Sequence, residues 1–438
     1  MKTFTNVVML PRHYRRTTPA WDYGDTGTFS RLPSHMLADT GPSDEALNGF
    51  IQGKIGSEAM SLSNIPWDAW AAPLLTWLPL ALLMTTGFIG LALVVHRQWS
   101  EHEKLPYPIA QFASSLLGRD DEGSGSVMHQ RAFWVSAAVV LGIHLVNFAH
   151  SWGPQYMVGV SRNFDLRPLN SIMPTFRQGR LSWSILYCRL YFSVVGVAFL
   201  VSRDVSFSFA FIPIIGTYIQ GLLAVYGVSF MGGGEHRASI YTSLNIGSFV
   251  AFLLMIPYFG RRFYWAVLRR AVGLPVTEDI QPHEVWGARV FMGSTLVCTS
   301  VMTLYGLAWP FAIAYMFMII AFYVCVSRVV AQTGLFIMKP AWVPHILLLG
   351  LFGGYALGPS AALISMMFSA VFFAEARETV MPYMVNSLSL LEREGEGDKF
   401  GRIASWSVVA ATIGLLIGLT TVLFLQYDHG TDMAAGGW

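Results

Sequence analysis

Residues 72–95 of the chain read APLLTWLPLALLMTTGFIGLALVV, and this stretch decides the fold class. It contains no Asp, Glu, Lys or Arg. A membrane-spanning helix needs about 20 predominantly apolar residues. Trp67, Trp70 and Trp77 lie near its start, and indole rings favour the membrane–water interface. The stretch therefore predicts a transmembrane helix.

Further apolar runs follow the first along the chain. They are Ala132–His150, Trp183–Val201, Phe207–Met231, Tyr241–Phe259, Ala288–Trp309, Phe311–Gly334, Val343–Ala374 and Ile403–Leu425. Each is long enough to cross the hydrocarbon core as a helix. The sequence thus predicts an all-α protein, a polytopic transmembrane helical bundle of about nine membrane segments, with room for broken or re-entrant ones.

One apolar run is too long for a single upright helix. Val343–Ala374 contains Gly353, Gly354 and Gly358, followed by Pro359, near its middle. Glycine and proline weaken a helix interior. Broken helices occur at membrane depth only where protein buries them or where they line a cavity. We expect a kink or re-entrant turn between Gly353 and Ser360.

The composition excludes several classes of protein. Charged residues make up 12% of the chain, against about 25% in soluble proteins. A net charge of +2 offers no basic face for nucleic acid. The sequence contains no GxSxG, HExxH or Walker A motif, and its three cysteines form no CxxC pair. We therefore expect no enzyme, no cofactor, no metal site and no nucleic-acid partner.

The chain divides into three regions by hydrophobicity. Residues 1–68 contain no spanning run and predict a soluble or interfacial N-terminal tail with little core of its own. Residues 69–426 form the transmembrane domain, and residues 427–438 form a short C-terminal tail. The basic stretch Arg261–Arg270 favours the cytoplasmic side for its loop.

Polar residues inside apolar runs are the candidate functional residues, since each needs a partner or a cavity in the membrane. His144 and Asn147 lie one helical turn apart in the second run, and Arg189 and Gln220 lie in the third and fourth. A substrate or ion path is the functional interpretation of these four residues. Hydrogen bonds between helices, and snorkelling of Arg189, are the structural alternative.

A second group of candidates lies near the ends of the later runs. Arg328 and Gln332 share a helix face because they are four residues apart. The Arg328 guanidinium can hold a substrate carboxylate, pair with Glu375, or snorkel to the interface. Glu375 and Arg377 form a candidate charged pair beside Pro382.

Several stretches carry a family resemblance when taken in order. They are IPWDAWAAPLLTW, VVHRQWSEHEKLPYPIAQ, SRDVSFSFAF, SRVVAQTGL and FFAEARETVMPYMVNSL, at residues 65–77, 94–111, 202–211, 327–335 and 372–388. Together they resemble an uncharacterised bacterial membrane family distantly similar to the oligopeptide transporters. The resemblance implies a secondary carrier of peptides or metal chelates, generally coupled to protons. Relatives tend to have an acidic residue where this chain has Gln332, which puts proton coupling at that position in doubt.

These observations lead to two functional hypotheses. The first is a secondary transporter: a multi-pass carrier of small solutes in the bacterial inner membrane, working by alternating access with its site near the midplane. The second is a non-transporting membrane subunit that anchors a larger complex and can bear a cofactor. The expected partners are the lipid bilayer and either a small-molecule solute or a membrane-complex partner, with a homo-oligomer also open.

Overall fold

The structure is a computed structural model of the chain. It describes residues 2–17, 31–39, 44–53, 61–117, 127–153, 158–228, 240–335, 338, 342–373 and 379–431. The described helices are α1 (Lys2–Thr17), α2 (Glu45–Gln52), α3 (Trp67–Arg97), α4 (Pro108–Leu117), α5 (Arg131–Trp152), α6 (Ser182–Leu186), α7 (Phe192–Ala198), α8 (Arg203–Val225), α9 (Ile240–Phe259), α10 (Arg261–Ala271), α11 (Pro282–Leu304), α12 (Trp309–Thr333), α13 (Pro344–Phe372), α14 (Val380–Arg393) and α15 (Phe400–His429). Two short strands, β1 (Asn163–Asp165) and β2 (Tyr187–Arg189), form an antiparallel pair.

Within the described residues, eight helices are long and apolar enough to cross a membrane. They are α3, α5, α8, α9, α11, α12, α13 and α15, with α3 extended to His102 and α15 counted from Gly397. The prediction of an all-α, multi-pass helical bundle is confirmed. The agreement reflects how strongly a long uncharged run favours a helix, whose backbone hydrogen bonds are all internal.

The third predicted segment, Trp183–Val201, is not a spanning helix. It is divided among α6, β2 and α7. Asn163 pairs with Arg189 and Asp165 with Tyr187 in the antiparallel register. The segment is rich in aromatic and β-branched residues, which favour strands as readily as helices. An apolar run alone could not separate the two outcomes, and Arg189 is an exposed residue of β2.

Helix α3 packs most extensively against α11. A Cβ atom added to Gly90 of α3 would lie 2.6 Å from the carbonyl oxygen of Gly287 in α11, and the reverse distance is also 2.6 Å. Small residues let two helix backbones approach this closely, which maximises van der Waals contact in a membrane. Gly87 faces Ser294 along the same contact. This glycine contact fixes how α3 and α11 cross.

Helix α13 folds back on itself. Gly353 has φ 79° and ψ 152°, and Gly358 has φ 73° and ψ 162°, so the helix is interrupted twice. The backbone N–H of His345, near its start, donates to Ser369 Oγ near its end at 3.3 Å. A straight helix would separate two residues this far apart in sequence by about 36 Å at 1.5 Å per residue. The predicted break between Gly353 and Ser360 is confirmed, and it is re-entrant.

The described part of the N-terminal region is packed against the bundle. Val8, Met9, Leu47 and Phe50 are fully buried and belong to the main hydrophobic core. Gln426 Nε2 of α15 donates to Asn6 Oδ1 at 3.0 Å. The expectation of little core in this region is corrected for these residues, because short apolar patches gain burial from α13 and α15 that the local sequence does not show. The boundary at residue 68 stays a prediction, and residues 432–438 of the C-terminal tail lie outside the described residues.

Candidate functional site

The end of α3 has an irregular backbone. Residues Gln98–His102 form a π-helical turn directly after Arg97. Lys104 and Tyr107, which follow it, have positive φ angles of 49° and 47°. Positive φ is uncommon for residues other than glycine, and π-turns are frequent at functional sites. Residues 96–107, named here the α3-end segment, carry most of the charged groups described below.

A buried ion pair joins the α3-end segment to α12. Arg328 Nη2 pairs with Glu103 Oε2, and the two side chains are only 9% and 17% exposed. Gln98 Nε2 donates to the other oxygen of Glu103 at 3.0 Å. The Arg328 guanidinium carbon also lies 5.2 Å from the ring centre of Trp99, a cation–π contact. Arg328 is therefore held in place and does not snorkel.

Tyr107 ties the same segment to the end of α12. Its backbone N–H donates to the carbonyl oxygen of Ala331 at 3.0 Å, and its side chain is 1% exposed. Burial raises the pKa of the Tyr107 hydroxyl, and the nearby Arg328 charge opposes that shift. Among the described residues, the Tyr107 hydroxyl and Arg328 Nε and Nη1 have no hydrogen-bond partner. The cluster thus contains a neutral hydrogen-bond donor, the Tyr107 hydroxyl, and a cationic one, the Arg328 guanidinium, both buried.

Tyr264 of α10 completes this cluster. Burial raises the pKa of its hydroxyl, which also feels the Glu103 carboxylate. The Trp99 indole lies beside this hydroxyl, although the contact falls short of hydrogen-bond geometry. Helix α10 is therefore joined to α3 and α12 through aromatic side chains.

A second polar contact joins α3 to α14. His96 Nε2 lies 3.2 Å from Glu392 Oε2, and the His96 side chain is 3% exposed. Ser100 Oγ donates to Glu392 Oε1 at 3.3 Å. Contact with His96, followed by the Ser100 hydrogen bond, lowers the pKa of Glu392 against the opposing effect of burial. Glu392 is therefore ionised at neutral pH.

A third charged group joins α3 to α11. Arg97 Nε donates to Glu101 Oε2 at 3.0 Å, and its Nη1 donates to the carbonyl oxygen of Asp279 at 2.8 Å. The same Nη1 lies 3.6 Å from Oε1 of Glu284, whose side chain is fully buried. Glu284 Oε2 accepts the backbone N–H of Gln281 at 2.8 Å, which forms a capping box at the start of α11.

A cavity of about 870 Å³ lies between α3, α11 and α15 beside these charged groups. Its rim carries His96, Arg97, Glu101, Glu284, Glu392 and Arg402. Its inner wall is largely apolar or small and reaches Thr86, Val290 and Val408. From Arg97 to Thr86 this is roughly 16 Å along the axis of α3. The cavity can therefore take a small solute with a charged end and an apolar body.

The residues predicted from sequence do not form one site. Asn147 exchanges hydrogen bonds with the backbone of Val160, at 3.1 and 2.7 Å, while His144 is exposed on α5. Gln220 accepts the backbone N–H of Arg180 at 3.2 Å. Asn147, Gln220 and Arg328 thus each contact a different part of the chain.

The remaining predicted residues have varied outcomes. The exposed Arg189 places its guanidinium carbon 5.6 Å from the ring centre of Tyr191. Gln332 is half-buried in α12, one turn after Arg328. Glu375 and Arg377 lie outside the described residues. Among described residues, no group of three or more His, Cys, Asp or Glu side chains could hold a metal ion.

The acidic partners were not predicted from the sequence. Glu103, Glu284 and Glu392 lie near the ends of long helices, where charges commonly reach water, so their position carried no signal of burial. The one available sign was local. Glu284 follows Gln281 by three residues, at the start of an apolar run, which approximates the capping-box pattern.

The fold is that of a multi-pass membrane protein. It is a bundle of long apolar helices, with charged groups at one end of α3. The chain belongs to a family of unknown function, DUF6785, whose model matches residues 1–438. No curated protein and no solved structure matches it.

Proposed function

We propose that this protein is a secondary carrier of small solutes in the bacterial inner membrane, working by alternating access. The observation that carries the proposal is the re-entrant α13, with its turn at Gly353 and Gly358. An interrupted helix leaves backbone groups unpaired, which the membrane tolerates only where protein or a cavity surrounds them. Such segments are a recurring part of carriers, where they surround the solute path. A purely structural anchor has no need of them.

The cavity between α3, α11 and α15 supplies the space for the solute, and none of the described residues that line it belongs to α13. Two of its walls belong to α3 and α11, which pack closely at the Gly90–Gly287 contact. The contacts Arg328–Glu103 and His96–Glu392 tie the end of α3 to α12 and α14. In the proposed cycle, α3 and α11 move together against α15, the third wall of the cavity.

The solute class comes from the resemblance to the oligopeptide transporters, which suggests small peptides or metal chelates. Relatives tend to have an acidic residue where this chain has Gln332. Here, coupling to protons would instead use the carboxylates at the cavity rim, such as Glu284 and Glu392. Transport needs no catalytic step, because the cavity only binds the solute and releases it. A carrier opens its site to one side of the membrane at a time, and no covalent bond is made or broken.

The proposal is tested by uptake into liposomes containing the purified protein. A panel of labelled di- and tripeptides and metal chelates is offered with an inward proton gradient, and again after a protonophore collapses it. We expect saturable, gradient-dependent uptake of at least one panel member. Gly358→Ala should reduce uptake per folded molecule, while Gly354→Ala should not. Uptake no greater than that of empty liposomes across the panel contradicts the proposal.

One observation favours the alternative function, a subunit of a larger membrane assembly. None of the residues of α5 is buried, although it is long and apolar enough to span a membrane. Its His144 would face lipid if α5 stood alone, which is unfavourable for an imidazole. Cross-linking in native membranes through a photoreactive residue at Leu145 tests this alternative. A discrete adduct of fixed mass supports it, and lipid adducts alone contradict it.

A further inference from the structure

Helix α10 (Arg261–Ala271) connects two helices that are long and apolar enough to span a membrane. Only Gly260 separates it from α9, which ends at Phe259, and α11 begins at Pro282. At 11 residues α10 is itself too short to cross the hydrocarbon core, which takes about 20 residues. Consecutive spanning helices are joined at one face of the membrane, so α10 lies at that surface.

One face of α10 is packed against the bundle. Phe263, Val267 and Ala271 are buried and share a small hydrophobic cluster with Val94, which lies in the last turn of α3. Arg289 Nε of α11 also donates to the carbonyl oxygen of Ala271 at 2.8 Å. These contacts fix the rotation of α10 about its own axis, and with it the face that points outward.

The outward face of α10 carries an apolar stripe. Trp265 and Val272 are 61% and 68% exposed, and Leu268, which lies between them in sequence, is 39% exposed. Steps of three and four residues place these side chains on one side of the helix. A contiguous apolar surface is unfavourable in water, and an indole ring favours the membrane–water interface. The stripe is therefore suited to contact with the bilayer.

A basic stripe lies beside the apolar one. Arg262 and Arg269 are exposed and seven residues apart, which is about two helical turns, so they point to the same side. That side is roughly 80° around the helix from the centre of the apolar stripe. Neither α9 nor α10 contains Asp or Glu, and the ion pairs between described residues involve neither arginine. Both guanidinium groups can therefore bind an external anion.

We propose that α10 is a docking surface for anionic phospholipids of the bilayer. The apolar stripe enters the edge of the acyl-chain region, and Arg262 and Arg269 bind lipid phosphate groups. A helix with this division of faces lies in the plane of a membrane interface. Guanidinium groups form bidentate hydrogen bonds with phosphate oxygens, and each basic residue near an anionic surface strengthens binding.

The position of α10 between two spanning helices favours lipid over an acidic soluble protein. Such a protein would pair with the arginines, but the apolar stripe would have to leave the interface to meet it. The inference goes beyond the proposed carrier function and does not depend on it.

Fluorescence quenching tests whether the apolar stripe enters the bilayer. Leu268→Cys and Arg270→Cys, each in a background lacking Cys188, Cys298 and Cys325, are labelled with a small fluorophore. Residues 268 and 270 differ by about 200° around the helix, so the second is the matched control. In nanodiscs whose lipids carry bromine on the acyl chains, we expect strong quenching at residue 268 and much less at residue 270. Equal quenching at both, or none at residue 268, overturns the proposal.

Selectivity for the head group is tested by native mass spectrometry. Phosphatidylglycerol and phosphatidylcholine with identical acyl chains are titrated into the protein purified in detergent, and the bound lipid is counted. We expect the anionic lipid to bind about tenfold or more tightly, because its head group carries a net negative charge. Equal affinities overturn the selectivity. Inorganic phosphate should not displace the lipid, and displacement would overturn the assignment to lipid.

Paired variants assign the selectivity to α10. Arg262→Gln with Arg269→Gln should abolish most of the preference for phosphatidylglycerol, while Lys at both positions should retain much of it. Arg131→Gln with Arg203→Gln is the matched control, because it removes the same charge from the exposed first residues of α5 and α8. All four arginines are exposed, so every variant should fold. An unchanged preference in the α10 glutamine variant, or an equal loss in the control, overturns the assignment.

Discussion

The backbone N–H of His345 donates to the hydroxyl oxygen of Ser369 at 3.3 Å, although 24 residues separate them. This contact turns an apolar run that looks like one long helix into a hairpin. Its two interruptions, at Gly353 and Gly358, both have backbone angles that favour glycine. The hairpin is the feature that most separates this fold from a simple bundle of spanning helices.

Cross-linking tests the hairpin directly. Cysteines at residues 345 and 369, in a background lacking Cys188, Cys298 and Cys325, should react with a short bifunctional reagent. The physical reason is their contact, which a straight helix would replace with a separation of about 36 Å. Intramolecular cross-links are read by mass spectrometry. A cysteine at Tyr355, near the turn, paired with residue 345 serves as the control and should not cross-link.

Alanine should destabilise the fold where it replaces a turn glycine that has a positive φ angle. Gly358→Ala forces a side chain onto φ 73°, ψ 162°, which should cost about 1–3 kcal/mol, although no atom lies within 4 Å of the new Cβ. Gly354→Ala has the same free space without the unusual φ angle, and should change stability little. Thermal unfolding in detergent compares them. Equal losses for both variants would show that the backbone angles are not the cause.

The Gly90–Gly287 contact should be intolerant of a methyl group. Gly90→Ala places Cβ at 2.6 Å from the Gly287 carbonyl oxygen, so α3 and α11 would have to separate. We expect a lower yield of monodisperse protein in size-exclusion chromatography. Gly293→Ala on α11 has nothing within 4 Å of its Cβ and is the control. A wild-type elution profile for Gly90→Ala would contradict the close approach.

Removing one member of the Arg328–Glu103 pair should be strongly destabilising. Arg328→Ala leaves a mostly buried carboxylate unpaired, at a cost of about 3–5 kcal/mol, and Arg328→Lys should not restore the Trp99 contact. The double variant Arg328→Gln, Glu103→Gln should recover much of the loss because no charge is left unpaired. The exposed pair Arg167–Asp165 is the comparison, and Arg167→Ala should have little effect. If Arg328→Lys is as stable as wild type, only the positive charge at this position matters, and the specific role of the guanidinium is contradicted.

Acidification should weaken the contact between α3 and α14. The pKa of Glu392 is lowered in the folded protein, mainly by His96, from an ordinary value of 4.5. Its stabilising effect is therefore complete above that ordinary value and is lost as the pH falls through the lower folded value. Melting temperatures of wild type and Glu392→Gln should differ at pH 7 and converge as the pH falls below the ordinary value of 4.5. A constant difference across this range would contradict the assignment.

The sequence was informative where a pattern is local. The uncharged run at residues 72–95 and the glycines of residues 353–358 predicted a spanning helix and a break, and both are present. The prediction of a spanning helix at Trp183–Val201 was wrong. Aromatic and β-branched residues favour strands too, and part of this segment pairs with β1. Local composition cannot report a strand partner that lies elsewhere in the chain.

The candidate site was harder to predict for the same reason. Arg328 was singled out, but its partner Glu103 lies more than two hundred residues earlier and follows an irregular π-helical turn. The pairs His96–Glu392 and Arg97–Glu284 also join distant segments. Hydrophobic periodicity contains no information about which charged ends meet. They meet because α3 packs against α11 and α14, and because the segment after α3 contacts α12.

The rate of cysteine modification inside the cavity tests alternating access most directly. Ser405→Cys lies on the α15 wall, and Arg269→Cys on α10 is the exposed control. Both are labelled with a membrane-impermeant maleimide in sealed vesicles of each orientation, under opposite proton gradients. We predict that residue 405 reacts from the face carrying Arg269 under one gradient and is protected under the other, while residue 269 reacts equally under both. An unchanged rate at residue 405 under every gradient would contradict alternating access.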